Sequence, residues 1–502
     1  MYTHSLLEVL KTFSNKEIMR FGKFLKSPYF NNRSMLIKLF SILKLHHPEF
    51  DNKNITKLYI YKKLYGNAAY NDSTLRNLMS DLQQLALNFI KTESFRKNEI
   101  ESTFFLTDEL AQRGLVKLFS EKIQTTEKTL GSEHEINSSY FLSKFRTQTD
   151  QFYMNLQATK VLKKGFVEVE SKKLINGIIF IMSYFVIESV RHNDNLLKYS
   201  RSYNISSNMK TVTEFMKLFD ISKIVKFIKS NSDLNIPIIE AYYKLLLTFL
   251  NFQNDQNYSD LKHFLKKNSK EFSLLDNHFL FARLMDYCVL KKNTGAVTSF
   301  HVDNEIFEIL TEIISKGYYR TDSVSHIPFD LYRNYLINCI ALKKLNQMED
   351  FISTFSSKLN PNQITNVENY SYALLSFERG DFIKALELLS KIKFDQFIYK
   401  LDMKNLSLKI HYELEQYDSA LSVIDTYKHF INNNVLVSDN KRTLHYNFIS
   451  YVNKLIQYKL LSRNVSLLFL EDKLMKSQNT FNKEWILEKL QQEKMKTGKK
   501  AI

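Results

Sequence analysis

Three stretches of this sequence repeat one arrangement about 34 residues apart. That recurrence restricts the fold more than any other feature. In SFERGDFIKALELLSKI (376–392) a helical pattern ends at Arg379 and Gly380 breaks it. Asp381 then opens a second helix with Phe382, Ala385 and Leu389 on one face. Downstream, ELEQYDSALSVIDTY places Ala420 in the slot of Ala385, with Tyr417 and Ile424 in those of Phe382 and Leu389. Upstream, KLNQMEDFISTFSSK places Phe351 there, flanked by Met348 and Phe355. Each unit reads as helix, turn, helix. A unit this small cannot bury its apolar face alone, so it must stack on its neighbours.

The crossing point of each hairpin calls for small residues. Ala385 and Ala420 supply them on the second helices, and Cys339 and Ala373 on the first; Phe351 and Leu408 depart from the pattern. Over about residues 331–432 the chain resembles tetratricopeptide repeats. The proline that closes such repeats is absent, with Pro361 near one such place, so the repeats are degenerate. The resemblance implies a concave face lined by the first helices, suited to an extended peptide or a partner helix. Carried onto this sequence, the groove positions are Arg333, Leu336, Ile340, Lys343 and Lys344 in one unit. Tyr370, Leu374 and Phe377 follow in the next, then Asn405, Lys409 and Tyr412 in the third. The lysines suit acidic groups and the apolar middle suits side chains. The alternative is that the apolar members pack on a neighbouring helix. The ordered Lys/Asn/Arg clamp of co-chaperone members is not reproduced.

The rest of the chain fits an all-α fold. With 10 glycines and 5 prolines in 502 residues, too few turn residues exist for a sheet-rich architecture. Further helix–turn–helix patterns occur at 104–130, with Gly114 at the turn, and at 240–268. The expected architecture is a helical-hairpin (TPR-like) solenoid with a separate N-terminal helical domain. The expected divisions are a basic N-terminal domain (1–100), degenerate hairpins (101–330), TPR-like repeats (331–470) and a C-terminal helix with a mobile basic tail (471–502). Loops are expected at 192–195, 230–237 and 320–328.

In the N-terminal domain Ser14 and Glu17 form a capping box, and KSPYFNN, with Pro28, is a stop. Helices are expected at 33–45, at 56–66 with a glycine end, and at 73–90, where Leu75, Leu78, Leu82, Leu85 and Phe89 form an apolar stripe. FGKFLKSPYFNN and LRNLMSDL resemble stretches of bacterial helical-repeat proteins, a resemblance that carries no activity.

The formal charge is +17, and residues 1–100 hold 16 Lys+Arg against 8 Asp+Glu. An anionic partner explains that clustering. A lysine-, asparagine- and isoleucine-rich compositional bias explains the charge with no functional cause, and is the preferred reading. Lys16, Arg20 and Lys23 share one helix face, opposite Ile18, Phe21 and Leu25. They read either as phosphate contacts or as a solvated face. The order of helices over 55–85 is similar to winged helix-turn-helix regulators, which implies Thr74, Arg76, Asn77 and Ser80 in a major groove. Against this, the turn exceeds the usual ~3–4 residues and no wing strands follow.

Chemistry is not signalled. No phosphate-cradling glycine loop, no HExxH (the nearest string is SEHEIN, 132–137) and no GxSxG elbow is present. Cys288 and Cys339 lie in apolar patterns, as core residues do. MYTHSLLEVLKTF lacks a secretory pattern, and the apolar run Ile175–Ile187 is shorter than the ~20 residues that span a bilayer. That run reads as a helix buried on all sides. The expectation is a cytoplasmic, non-enzymatic scaffold binding another protein or peptide, with no cofactor, metal or membrane span. The second expectation is a nucleic-acid-associated regulator.

Overall fold

Helix is the only regular structure among the described residues, as the scarcity of turn residues requires. Of the described residues 82% are helical, in 23 helices packed in neighbouring pairs. The structure is a computed structural model. It describes residues 5–50, 56–132, 136–159, 164–202, 214, 218–231, 236–320, 326–393, 397–434, 437, 439–461, 466–477 and 480–499.

Contacts divide the chain into two units, residues 1–131 with 153–161, and residues 132–152 with 162–502. The first unit holds α1 (Ser5–Lys11), α2 (Asn15–Lys26), α3 (Ser34–Lys44), α4 (Lys57–Tyr65), α5 (Asp72–Lys97), α6 (Glu99–Gln112) and α7 (Val116–Ser132). One apolar cluster runs from Leu6 to Phe89. The capping box opens α2: the Ser14 backbone N–H donates to the Glu17 carboxylate at 2.9 Å, and Glu17 N–H donates to Ser14 Oγ at 3.2 Å. On α5 the stripe Leu75, Leu78, Leu82 and Phe89 is buried and Leu85 half-buried. A second cluster joins Phe104, Leu110, Phe119, Ile123 and Met154, the last from α8 (Ser138–Ala158).

The second unit continues through α9 (Lys164–Ser202), α10 (Ile221–Asn231), α11 (Pro237–Leu250), α12 (Asp255–Asn268), α13 (Leu274–Thr294) and α14 (Val302–Ser315). Then come α15 (Phe329–Ala341), α16 (Leu345–Phe355), α17 (Ile364–Glu378), α18 (Phe382–Ser390), α19 (Phe397–Glu413) and α20 (Tyr417–Asn433). The chain ends in α21 (Asp439–Leu461), α22 (Leu467–Lys476) and α23 (Lys483–Lys499). Each of α15 to α20 packs on its sequence neighbour, and α17 packs on both α15 and α19.

Three expectations are corrected. Residues 192–195 are not a loop but part of α9. Their polar side chains have partners within the fold: Asn193 Nδ2 donates to the Ser189 carbonyl at 2.8 Å, and Asp194 pairs with Arg283. Polarity there marked a buried network rather than a turn. The apolar run Ile175–Ile187 belongs to a longer helix. Lys164–Leu197 is long and apolar enough to cross a membrane by length and composition, and it alone passes that test among the described residues. Nor is the run buried on all sides, because Ile175 and Ile178 are half exposed. Helix continues through Lys499 at the basic C-terminus, with Glu493 buried; residues 500–502, the end of the expected mobile tail, lie outside the described residues. Of the loop expected at 230–237, Ser230, Asn231 and Pro237 are helical and Ile236 lies between the helices, while the described ends of 320–328 fall between helices; 232–235 and 321–325 lie outside the described residues.

Candidate functional site

Three turns fix the register of the tandem hairpins. Lys343 (φ 56°), Gly380 (φ 82°) and Glu415 (φ 55°) each sit in the left-handed region. The next residue donates its N–H to the carbonyl five positions back: Lys344 to Cys339 at 2.8 Å, Asp381 to Ser376 at 2.9 Å, Gln416 to His411 at 2.9 Å. These are Schellman closures, which satisfy the last carbonyls of a helix. Counted from them, Met348, Ala385 and Ala420 are equivalent, and all three are fully buried. Phe351 is therefore not the counterpart of Ala385. A 3-10 turn, Ser356–Lys358, follows α16 and lengthens the first spacing, so the sequence alignment slipped by three residues there.

The same count places Arg333, Tyr370 and Asn405 together, then Ile337, Leu374 and Lys409, then Ile340, Phe377 and Tyr412. Leu336, an expected groove residue, is off this row and fully buried, whereas Ile337 is on it and 39% exposed. Lys343 is the exposed turn residue itself. The Lys344 ammonium lies 3.8 Å over the Phe307 ring rather than out in solvent.

Apart from Ile337 and Ile340, the rows are occupied by the chain itself. Arg333 pairs bidentately with Asp402 of α19, Nη2 to Oδ1 at 2.7 Å, and Tyr370 is buried beside them. Burial, then the Asp402 carboxylate, pushes the Tyr370 phenol up. Leu374 and Phe377 are buried, and the Lys409 ammonium rests 4.3 Å over the Phe377 ring. Burial pushes Lys409 down, against the nearby carboxylates of Glu378 and Glu413. Burial also raises Glu378, with Lys409 opposing.

Helix α23 lies over the third unit. Trp485, the chain's single tryptophan, packs edge-on to Tyr412 with centroids 5.4 Å apart and sits 5.9 Å from Lys409. Its indole N–H donates to Glu413 Oε1 at 2.9 Å, and Lys489 Nζ reaches the same oxygen at 2.7 Å. Asn482 Nδ2 donates to Asn405 Oδ1 at 2.7 Å. Sequence reasoning missed this lid and Asp402. A lone tryptophan in an amphipathic C-terminal segment was the available signal.

The N-terminal candidates are spread over α2 and α5. Lys16 and Lys23 are exposed, while Arg20 pairs with Glu93 at 2.7 Å. Asn77 and Ser80 are exposed, Thr74 is half-buried, and exposed Arg76 pairs with Asp72 at 2.8 Å. Asp72 also accepts from Lys57 at 2.8 Å and Tyr70 at 2.6 Å, and those bonds hold its carboxyl below the usual range. The network braces the α4–α5 turn.

Among the described residues no three His, Cys, Asp or Glu side chains are grouped as a metal ion needs. No known protein family matches this sequence, and no curated protein or solved structure matches it.

Proposed function

We propose that the chain is a non-enzymatic scaffold of TPR-like repeats, binding a peptide or partner helix on the face formed by α15, α17 and α19. The observation that carries the reading is α23. The third unit takes an amphipathic helix of its own chain through an aromatic anchor, Trp485, and charged groups around it. This is helix-in-groove chemistry. In the first unit Ile337 and Lys343 are exposed and Ile340 half-buried, which leaves an apolar strip beside a cation for an external ligand. The test is a displayed-peptide selection against the intact chain, followed by cross-linking from a photoreactive residue at Ile337. Selected peptides should cross-link there, and Lys343→Glu should weaken acidic ones. Peptides that bind but ignore both changes would defeat the reading.

A second reading rests on the N-terminal unit, a nucleic-acid-associated regulator. What favours it is that Lys16 and Lys23 have no ion-pair partner among the described residues. Salt-dependent duplex binding by the intact chain, absent when Arg76 and Asn77 are replaced, tests it.

A further inference from the structure

Residues 16, 19, 23 and 26 fall on one side of α2, opposite the buried Ile18, Phe21, Phe24 and Leu25. Lys16, Lys23 and Lys26 are exposed, and among the described residues no carboxylate lies within ion-pair distance of any of them. Met19, between them, is 62% exposed. The helix then runs into a loop that holds its tip rigidly. Phe30 N–H and Asn31 N–H both donate to the Ser27 carbonyl, at 3.1 and 3.0 Å. Asn31 Nδ2 donates back to the Leu25 carbonyl at 2.9 Å, and Phe30 stacks on Phe24 with centroids 4.1 Å apart. At the tip Tyr29 is 88% exposed and meets Phe30 edge to face, so a ring face is open to solvent. An exposed aromatic on a hydrogen-bonded turn, following a line of uncompensated lysines, is not what an ordinary solvated helix face presents.

We infer that the α2 stripe and Tyr29 form a docking surface for single-stranded nucleic acid. The lysines neutralise successive phosphates, and Tyr29 supplies a platform on which a base stacks. The inference rests on the second functional reading: it keeps that reading's α2 lysines but replaces the α5 contact with duplex DNA by a single strand stacked on Tyr29. An anionic bilayer fits the lysines less well. The apolar face of α2 is committed to the core, which leaves only Met19 and Tyr29 to enter lipid.

The experiment is fluorescence anisotropy of a labelled oligothymidylate with the intact chain, titrated with salt. Alongside run the same-length duplex and phosphatidylserine vesicles. Tyr29→Ala should weaken oligothymidylate binding about 5- to 100-fold, and Tyr29→Phe should restore it. Replacing Lys16, Lys23 and Lys26 with Gln should lower the slope of log affinity against log salt by up to about 2. All these residues are exposed, so thermal melting should be unchanged in each variant. Duplex binding that ignores Tyr29 would overturn the inference and leave the second reading standing. No binding to either nucleic acid would remove both. Binding to vesicles alone, lost in the lysine variant, would reassign the surface to membranes.

Discussion

The turn at Gly380 offers a clean perturbation. An alanine Cβ there meets no atom within 4 Å, so the effect of Gly380→Ala is backbone conformation alone. A left-handed φ costs an L-residue about 1–2 kcal/mol. Alanine returns about 0.4–1 kcal/mol by restricting the unfolded chain. The net is a loss of roughly 1 kcal/mol. Lys343 and Glu415 occupy the equivalent positions and already carry the strain. Replacing either with glycine should gain about 0.5–1 kcal/mol. The contact of Glu415 with Lys459, at 3.8 Å and exposed on the glutamate side, offsets little of this. Chemical denaturation followed by Trp485 fluorescence reads all three, because Trp485 sits on α19. Opposite signs for Gly380→Ala and the two glycine substitutions are expected. Gly380→Ala without effect, or glycine destabilising both other turns, would refute the shared left-handed geometry.

Other perturbations follow from the same packing. Ala385→Leu and Ala420→Leu overfill buried crossing points and should each cost about 1–3 kcal/mol in thermal or urea unfolding. Asp402→Ala strands Arg333 and should cost about 3 kcal/mol, at the low end for a buried pair because Arg333 keeps 22% exposure. His445 is bonded to Tyr427 at 2.8 Å, and burial pushes its pKa down from 6.5 to about 4. Within that window the unfolded chain takes up a proton that the folded chain refuses, so stability falls as pH drops from 6.5 towards 4. Unfolding of His445→Gln across that range should lose about 3 kcal/mol less than the parent.

The helices were legible because their determinants are local: the Ser14–Glu17 capping box, Gly66, Gly114 and Gly380 at helix ends, and the α5 stripe. What the sequence hid depends on distance along the chain. Asp402 reaches Arg333 across 69 positions, and Trp485 reaches Glu413 across 72. No periodicity encodes such pairs. The register error at Phe351 arose because the Ser356–Lys358 turn lengthens the spacing and the turn that marks the true register there, at Lys343, carries no glycine. Lys343 and Glu415 adopt a glycine-like conformation without being glycine, so only one of the three turns announced itself. The helical residues 192–195 show the converse, since buried partners overrode a turn-like composition.

The account turns on whether the first-helix face is where a partner binds. Hydrogen–deuterium exchange of the intact chain, with and without a selected peptide, measures that directly. The account predicts slower exchange on peptide binding in α15 and α17, around Ile337 and Ile340 and towards Tyr370. Protection confined to other helices, with α15 and α17 unchanged, would contradict it.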